Sequence, residues 1–357
     1  MVVLAVVAVN KKETALRFTC IARKLGLLCL ALLTSLAFAA DPKITTNEFN
    51  LDTELPGVKI YVRNKHLASQ TKFTGDKVVL FVHGATYPSE TAFDINLPGG
   101  SWMEYVAQLG YDAYLVDVRG YGLSTRPASM SQPSSANPPF ATTADAIKDI
   151  GTAVDFIRQR RGVAKINLVG WSWGTTTTAG YTTQNNDKIN KLVLYAPLWI
   201  VKAPPPVAGS GAYRTVQKDS ARSRGIRGIP DAKVEEISPS AWFEQWWSSN
   251  MVSDAEGAKQ TPAVVRAPNG VIKDLGEYWM NNKPTYDPAD IRVPVMLIIA
   301  EWDQDTPLYM AQELFPKIVN SPEKKHVILG EGTHAIVLEK NRTKLMQEVQ
   351  TFLDGKK

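Results

Sequence analysis

The strongest constraint on this chain is the stretch from Lys165 to Gly174, which reads KINLVGWSWG. A strand-like apolar run ends at Gly170. Ser172 follows between Trp171 and Trp173, and the small residues Thr175 to Gly180 open a helical pattern. A G-x-S-x-G pentapeptide between strand and helix demands a sharp turn with a strained serine at its apex. Its two glycines let neighbouring backbone come close. Composition alone produces such a pentapeptide in roughly one chain in ten of this length. The strand before it and the helical pattern after it are what make Ser172 a candidate nucleophile.

A serine hydroxyl is a weak nucleophile without a base, and the base needs a group that orients it. The chain has four histidines. His66 lies in the N-terminal region and His326 inside a strand-like run. His83 follows the run VVLFV as part of His83-Gly84-Ala85. His334 ends the loop Gly330-Glu331-Gly332-Thr333-His334 after the last strand-like run. Loops at the carboxyl ends of parallel strands are where open α/β sheets gather ligands and catalytic groups, so His334 is the candidate base. The acid is sought one strand earlier, in Glu301-Trp302-Asp303-Gln304-Asp305-Thr306-Pro307. Asp303 is preferred over Asp305, which with Glu301 reads as a loop-capping or surface carboxylate. Backbone N–H groups aimed at the developing oxyanion complete such a site. The expected donors are Trp173, directly after the serine, and Ala85, with Thr86 as the alternative. His83 is expected to shape its loop.

The rest of the chain fits an alternating strand and helix pattern. Strand-like runs occur at Val58–Val62, Val78–Val82, Ala113–Asp117, Lys165–Val169, Lys191–Tyr195, Val295–Ala300 and Lys325–Leu329. Several are apolar throughout, as strands covered on both faces are. Thr142 to Arg160 sets Ile147, Ile150, Val154 and Ile157 on one helical face, with Thr142 and Asp145 resembling a capping box. Asn341 to Leu353 repeats the helical spacing. This implies an α/β fold with a mostly parallel sheet flanked by helices. Pro197 to Asp290 breaks the rhythm. It shows no strong strand run, opens with a Pro-rich turn (Ala203 to Val207) and carries Trp242, Trp246, Trp247 and Trp279. A loop that long without structure is uncommon, so residues 197–290 read as an inserted helical cap. It would lie between core segments 40–196 and 291–357. Pro127 to Pro139 reads as a Ser/Pro-rich loop beside the site's rim.

The formal net charge of +5 is concentrated at the start. Residues 1–39 hold Lys11, Lys12, Arg17, Arg23 and Lys24 against Glu13, which leaves 35 basic and 34 acidic residues for the remainder. That balance gives no footprint for nucleic acid, which needs a clustered basic excess. Arg23 and Lys24 precede the apolar run Leu25 to Phe38, and Ala37-Phe38-Ala39 has the form of a cleavage site. This is the pattern of a signal peptide, and the run is too short for a membrane span. Residues 1–16 precede that pattern and leave open a translation start downstream of Met1. A periplasmic or secreted mature chain, without a membrane anchor once the leader is cleaved, is expected. Both cysteines, Cys20 and Cys29, lie in the leader. Disulfides and thiolate metal sites are therefore not expected in the mature chain. No cofactor is expected, since no P-loop motif and no cluster of metal ligands occurs.

Taken together, these elements resemble the α/β-hydrolase superfamily in its capped serine-hydrolase branch, which includes esterases and proline iminopeptidases. The resemblance runs from about Val58 to Leu353. It also includes Asp117-Val118-Arg119-Gly120-Tyr121-Gly122-Leu123-Ser124, which is similar to the family's mainly structural D-x-R-G-x-G-x-S loop. Family members that act as epoxide hydrolases or haloalkane dehalogenases carry Asp at the elbow, where this chain has Ser172. Proline iminopeptidases share the Trp after the serine, but their oxyanion loop reads HGGPG where this one reads HGATY. The resemblance implies a Ser172-His334-Asp303 triad acting on a small-molecule carboxylic ester through an acyl-enzyme. Peptidase or amidase, lactonase and acyltransferase chemistry are the alternatives, and a non-catalytic ligand-binding protein of the same fold is a further one. Trp171 and Trp173 flank the serine and are candidate lining residues of an apolar or aromatic pocket. Packing of cap against core is the competing role for these rings.

Overall fold

The computed structural model describes residues 43–202 and 211–355. The leader with its two cysteines and the turn Ala203 to Val207 lie outside the described residues. The strands, in chain order, are β1 Ile44–Asp52, β2 Lys59–Leu67, β3 Val78–Val82, β4 Asp112–Asp117, β5 Ile166–Trp171, β6 Ile189–Tyr195, β7 Tyr213–Gln217, β8 Val264–Pro268, β9 Val295–Ala300 and β10 Lys324–Leu329. Eight of them form one sheet in the order β1-β2-β4-β3-β5-β6-β9-β10. β1 and β2 pair antiparallel, as do β2 and β4, and every other pair in the sheet is parallel. The seven strand-like runs read from the sequence all lie in this sheet.

The central strands are apolar on both faces because both faces are covered. In β3, Val78, Leu80 and Val82 pack with Ile150, Val154 and Ile157 of the helix Thr143–Arg161. Val79 and Phe81 face the other way, toward Trp102, Met103 and the C-terminal helix Arg342–Asp354. The strand's two-residue period thus divides it between two core layers. The helix Thr143–Arg161 starts at the expected capping box, where Thr142 and Asp145 satisfy each other's backbone N–H. It ends at Gly162 in the left-handed conformation, after Arg158, Arg160 and Arg161. Basic residues there suit the negative end of the helix dipole.

Two features differ from the sequence reading. β1 was not among the expected strands. It is an edge strand whose exposed and half-buried residues alternate, so it lacks a continuous apolar run. The segment between β6 and β9 is not helical throughout. Its helices, among them Lys218–Gly225, Ser240–Ser253 and Gly270–Glu277, are joined by an antiparallel ribbon of β7 and β8. β8 is fully buried yet contains Arg266, which hides it from a search for apolar runs. Asp254, itself buried, meets that guanidinium at 2.6 Å. The loop from Pro127 to Pro139 docks on the start of β7, where Tyr213 N–H donates to Ser134 Oγ at 3.1 Å.

The strand order sets the place of the site. From β3 the chain proceeds to β4 on one side, whereas from β5 it proceeds to β6 on the other. β3 and β5 are neighbours. Their carboxyl ends therefore border the crevice at which open α/β sheets bind ligands.

Candidate active site

Ser172 stands between β5 and the helix Trp173–Gln184 with φ 56° and ψ −121°. A non-glycine residue there costs on the order of 1–3 kcal/mol and persists only when its surroundings dictate it. They do so here. A Cβ on Gly170 would lie 2.3 Å from the carbonyl oxygen of Gly174, and one on Gly174 would lie 2.5 Å from that of His83. Both obstacles are backbone, so the elbow closes only with glycine at both positions. The Ser172 N–H donates to Tyr195 O at 2.9 Å, which pins the turn to β6.

His334 and Asp303 meet as the sequence reading placed them. Asp303 Oδ2 lies 2.8 Å from His334 Nδ1, and the carboxylate is fully buried. Its other oxygen accepts the backbone N–H groups of Asp305 at 2.9 Å and Thr306 at 2.8 Å. Thr306 Oγ1 adds a bond of 2.9 Å to Oδ2. With the carboxylate accepting at Nδ1, the basic nitrogen of the ring is Nε2. Asp305 turns elsewhere. It receives Arg224 Nε at 2.7 Å and pairs with Arg227. Of the two aspartates, Asp303 is the one that meets His334.

His334 is also held from behind. The backbone carbonyl of His334 accepts Trp171 Nε1–H at 3.1 Å and Tyr195 O–H at 2.7 Å. Trp171 stacks on Tyr195, with ring planes 6° apart, and its ring lies 5.6 Å from the imidazole. On the neighbouring residue, Thr333 Oγ1 donates to Glu339. Burial pushes the Glu339 carboxyl up to about 7. Tyr195, Thr306 and Glu339 were not singled out from the sequence. Tyr195 ends β6 and so shares the carboxyl edge with the elbow, a positional signal that was available. Nothing local marks Glu339.

Ser172, His334, Gly84, Ala85 and Trp171 line one cleft, with Trp242 from the inserted segment. Ala85, the expected oxyanion donor, thus borders the same space as the serine. His83 lies fully buried beneath this loop. Its Nδ1 is 2.6 Å from Gly84 O, and its Nε2 accepts Val118 N–H at 3.1 Å. Burial lowers its pKa to about 4, so the ring is neutral and acts as a strut between β3 and β4. The expectation that Trp173 lines the substrate pocket is corrected. Its indole is buried, donates Nε1–H to Thr143 Oγ1 at 2.9 Å and packs with Tyr121 and Val118. Only its backbone N–H remains a candidate for the site. The tryptophans of the insertion divide as well. Trp242 and Trp246 line the cleft, while Trp279 packs beside Trp173.

The D-x-R-G-x-G-x-S loop has a structural role. Arg119 holds buried Asp149, with contacts from Nε and the backbone N–H, and reaches Glu54 at 3.0 Å. Ser124 Oγ donates to Asp117 O at 2.5 Å and accepts Tyr61 N–H at 2.8 Å. Among the described residues, no group of three or more His, Cys, Asp or Glu side chains could hold a metal. Among the same residues, no helix is long and apolar enough to cross a membrane.

The family model for the alpha/beta hydrolase fold matches residues 77–341. The chain belongs to the α/β-hydrolase family. Among curated proteins, this α/β hydrolase is similar to gastric triacylglycerol lipase of Rattus norvegicus. The two are 30% identical over 129 residues, covering 36% of this chain and 33% of the lipase. It is also similar to human lipase member N, at 25% over 131 residues, 37% of this chain and 33% of the relative. The chain spans about a third of the length of these relatives. Among solved structures it resembles a serine hydrolase from Cycloclasticus zankles. The TM-score is 0.57 and the identity 17%, over 87% of this chain and 99% of the other. A thermophilic esterase from Thermogutta terrifontis matches with TM-score 0.53 and 18% identity, over 87% and 98%. An epoxide hydrolase from Vigna radiata fits about as well, with TM-score 0.54 and 17% identity over 87% and 98%. At such identities the likeness is one of fold, and function is argued from the site.

Proposed function

We propose that this α/β hydrolase is a serine esterase that cleaves carboxylic esters of apolar or aromatic small molecules through an acyl-enzyme. The observation that carries the reading is the 2.8 Å contact between His334 Nδ1 and buried Asp303, in a loop whose histidine shares a cleft with strained Ser172. His334 Nε2 takes the Ser172 proton as Oγ attacks the ester carbonyl. The Ala85 and Trp173 N–H groups stabilise the oxyanion, and the protonated imidazole then gives its proton to the departing alcohol. Water, deprotonated by the same nitrogen, releases the acid. Asp303 stays ionised and stabilises the imidazolium.

Tyr87, Trp242, Phe243 and Trp246 line the cleft and support an apolar or aromatic acyl or alcohol portion. The curated relatives are named as lipases, which favours an ester over an amide. The reading includes export of the mature chain after cleavage near Ala39, which N-terminal sequencing of secreted protein checks.

The test is turnover of p-nitrophenyl butyrate together with labelling by a fluorophosphonate. Wild-type protein is expected to do both, and Ser172→Ala to do neither. Near-full hydrolysis by Ser172→Ala would refute the proposal.

A further inference from the structure

The cleft is lined by two arginines, and at one of them positive charge outweighs the carboxylate that meets it. The helix Lys218–Gly225 brings Arg222 and Arg224 to it. Arg222 donates to Ser238 Oγ at 2.9 Å and to Ser238 O at 2.8 Å and lies over the Phe243 ring, with Glu235 and Glu244 near enough to act on its charge but not bonded to it. Arg224 and the adjacent Arg227 share a single carboxylate, Asp305. The other carboxyl on the cleft is Glu339, which burial keeps partly protonated near pH 7.

A fourth guanidinium stands behind the oxyanion loop. Arg214 of β7 bonds Thr86 Oγ1 at 2.7 Å and Pro268 O at 2.6 Å, both neutral acceptors. Arg224 and burial both push its pKa down, and both act in the same direction on Arg227. Arginine stays protonated in proteins, so Arg224 repels both Arg214 and Arg227 as the site stands. A buried or clustered charge without its counter-charge is costly. A negative group on the substrate would relieve that cost.

Resting on the serine-esterase reading above, we propose that the cleft selects esters carrying an anionic group, such as a carboxylate, at the end remote from the scissile carbonyl. Arg222 and Arg224 receive that group, while Tyr87, Trp242 and Trp246 cover the apolar stretch between. Arg224 reaches Asp305 through Nε, and its side chain is 43% exposed, so it stands on the solvent side of the cleft. An anion docked there remains accessible to water, and its attraction is weakened by salt. The substrate class is thus an amphiphilic ester with one charged end. Small charged esters without the apolar stretch fall outside it.

The experiment compares the mono-p-nitrophenyl esters of adipic and suberic acid with the same compounds capped as methyl esters. Wild-type protein is expected to show at least a fivefold higher kcat/KM for the free acids, shrinking as NaCl rises from 20 to 500 mM. In Arg224→Met, and separately in Arg222→Met, the ratio of free acid to capped ester is expected to fall toward one or below. The ratio is read within each variant, so a general loss of activity cancels. The proposal is overturned if wild-type protein turns over the capped esters as well as or better than the acids. It is equally overturned if the preference survives in both variants. A failure of the esterase reading looks different, because neither ester would turn over and the fluorophosphonate would not label Ser172.

Discussion

Gly84→Ala tests whether the loop after β3 supplies the oxyanion donor. A Cβ built on Gly84 lies 2.9 Å from the Ser172 Cβ, 3.1 Å from Trp171 O and 3.5 Å from Ser172 Oγ. Carbon atoms in good contact sit about 3.5–4.0 Å apart, so the loop or the elbow must retreat by roughly 0.6 Å or more. The elbow has little freedom, since Gly170 and Gly174 lock it against backbone and the Ser172 N–H is held by β6. The loop therefore moves and carries the Ala85 N–H away from the oxyanion. A shift of about 1 Å can cost ~100-fold in rate, and loss of one donor costs ~100- to 1,000-fold. Because the donor is displaced rather than removed, kcat on p-nitrophenyl butyrate is expected to fall roughly 30- to 100-fold. KM should change little. Overpacking of this kind destabilises by about 1–3 kcal/mol, seen as a modest fall in Tm. Gly162→Ala is the control: its φ is 65° with nothing within 4 Å, so it should cost some stability and no activity. A Gly84→Ala enzyme with kcat within threefold of wild type would refute the assignment of Ala85.

Asp303→Asn should leave the fold intact and lower kcat by about 10,000-fold, because the amide favours the wrong imidazole tautomer. A loss under tenfold in folded protein would shift the role of acid away from Asp303. Glu339 has a carboxyl raised from 4.5 to about 7 by burial, so the folded state binds its proton more tightly than the unfolded state does. Its contribution is full below about pH 4.5 and is lost as pH rises through 7, a difference of about 3 kcal/mol. Urea titrations of Glu339→Gln should accordingly show a flatter stability profile between pH 5 and 8 than wild type, and an unchanged slope would contradict this. Arg119→Met strands buried Asp149 and should destabilise by about 3–5 kcal/mol. Thermal unfolding measures that loss, while activity per folded molecule is expected to remain.

The parts of the site legible in the sequence were those set by local geometry. A strand that ends in G-x-S-x-G can turn in few ways, and the glycine at 170 is required by the backbone of Gly174 four residues on, while the glycine at 174 answers to the backbone of His83 on the neighbouring strand end. The loop carrying His334 was legible because it follows the last apolar run, and parallel strands deliver their loops to one edge. Asp303 was only preferred over Asp305, since two carboxylates two residues apart look alike until β9 and β10 are paired.

Around the elbow, side-chain direction was not legible. Trp171 and Trp173 flank the same serine, yet one lines the cleft and braces His334 while the other is sealed under the loop after β4 and under β8. That outcome depends on which elements lie above and below the turn, and those come from remote parts of the chain. β8 escaped notice for the same reason, because its arginine is made tolerable in the interior by Asp254, 12 residues earlier, and by the carbonyl of distant Met130. The arginines of the cleft are the furthest case. As a run of letters, Ala-Arg-Ser-Arg-Gly-Ile-Arg at residues 221–227 is an ordinary polar stretch. Only the tertiary structure sets it beside one shared carboxylate and the strained serine. By itself the sequence determined the elbow, the strands that present it and the order of its partners, because each follows from contacts within a few residues or from a strand's period. Which carboxylate meets His334, and which ring and which charges face the cleft, was decided by packing between elements far apart in the chain.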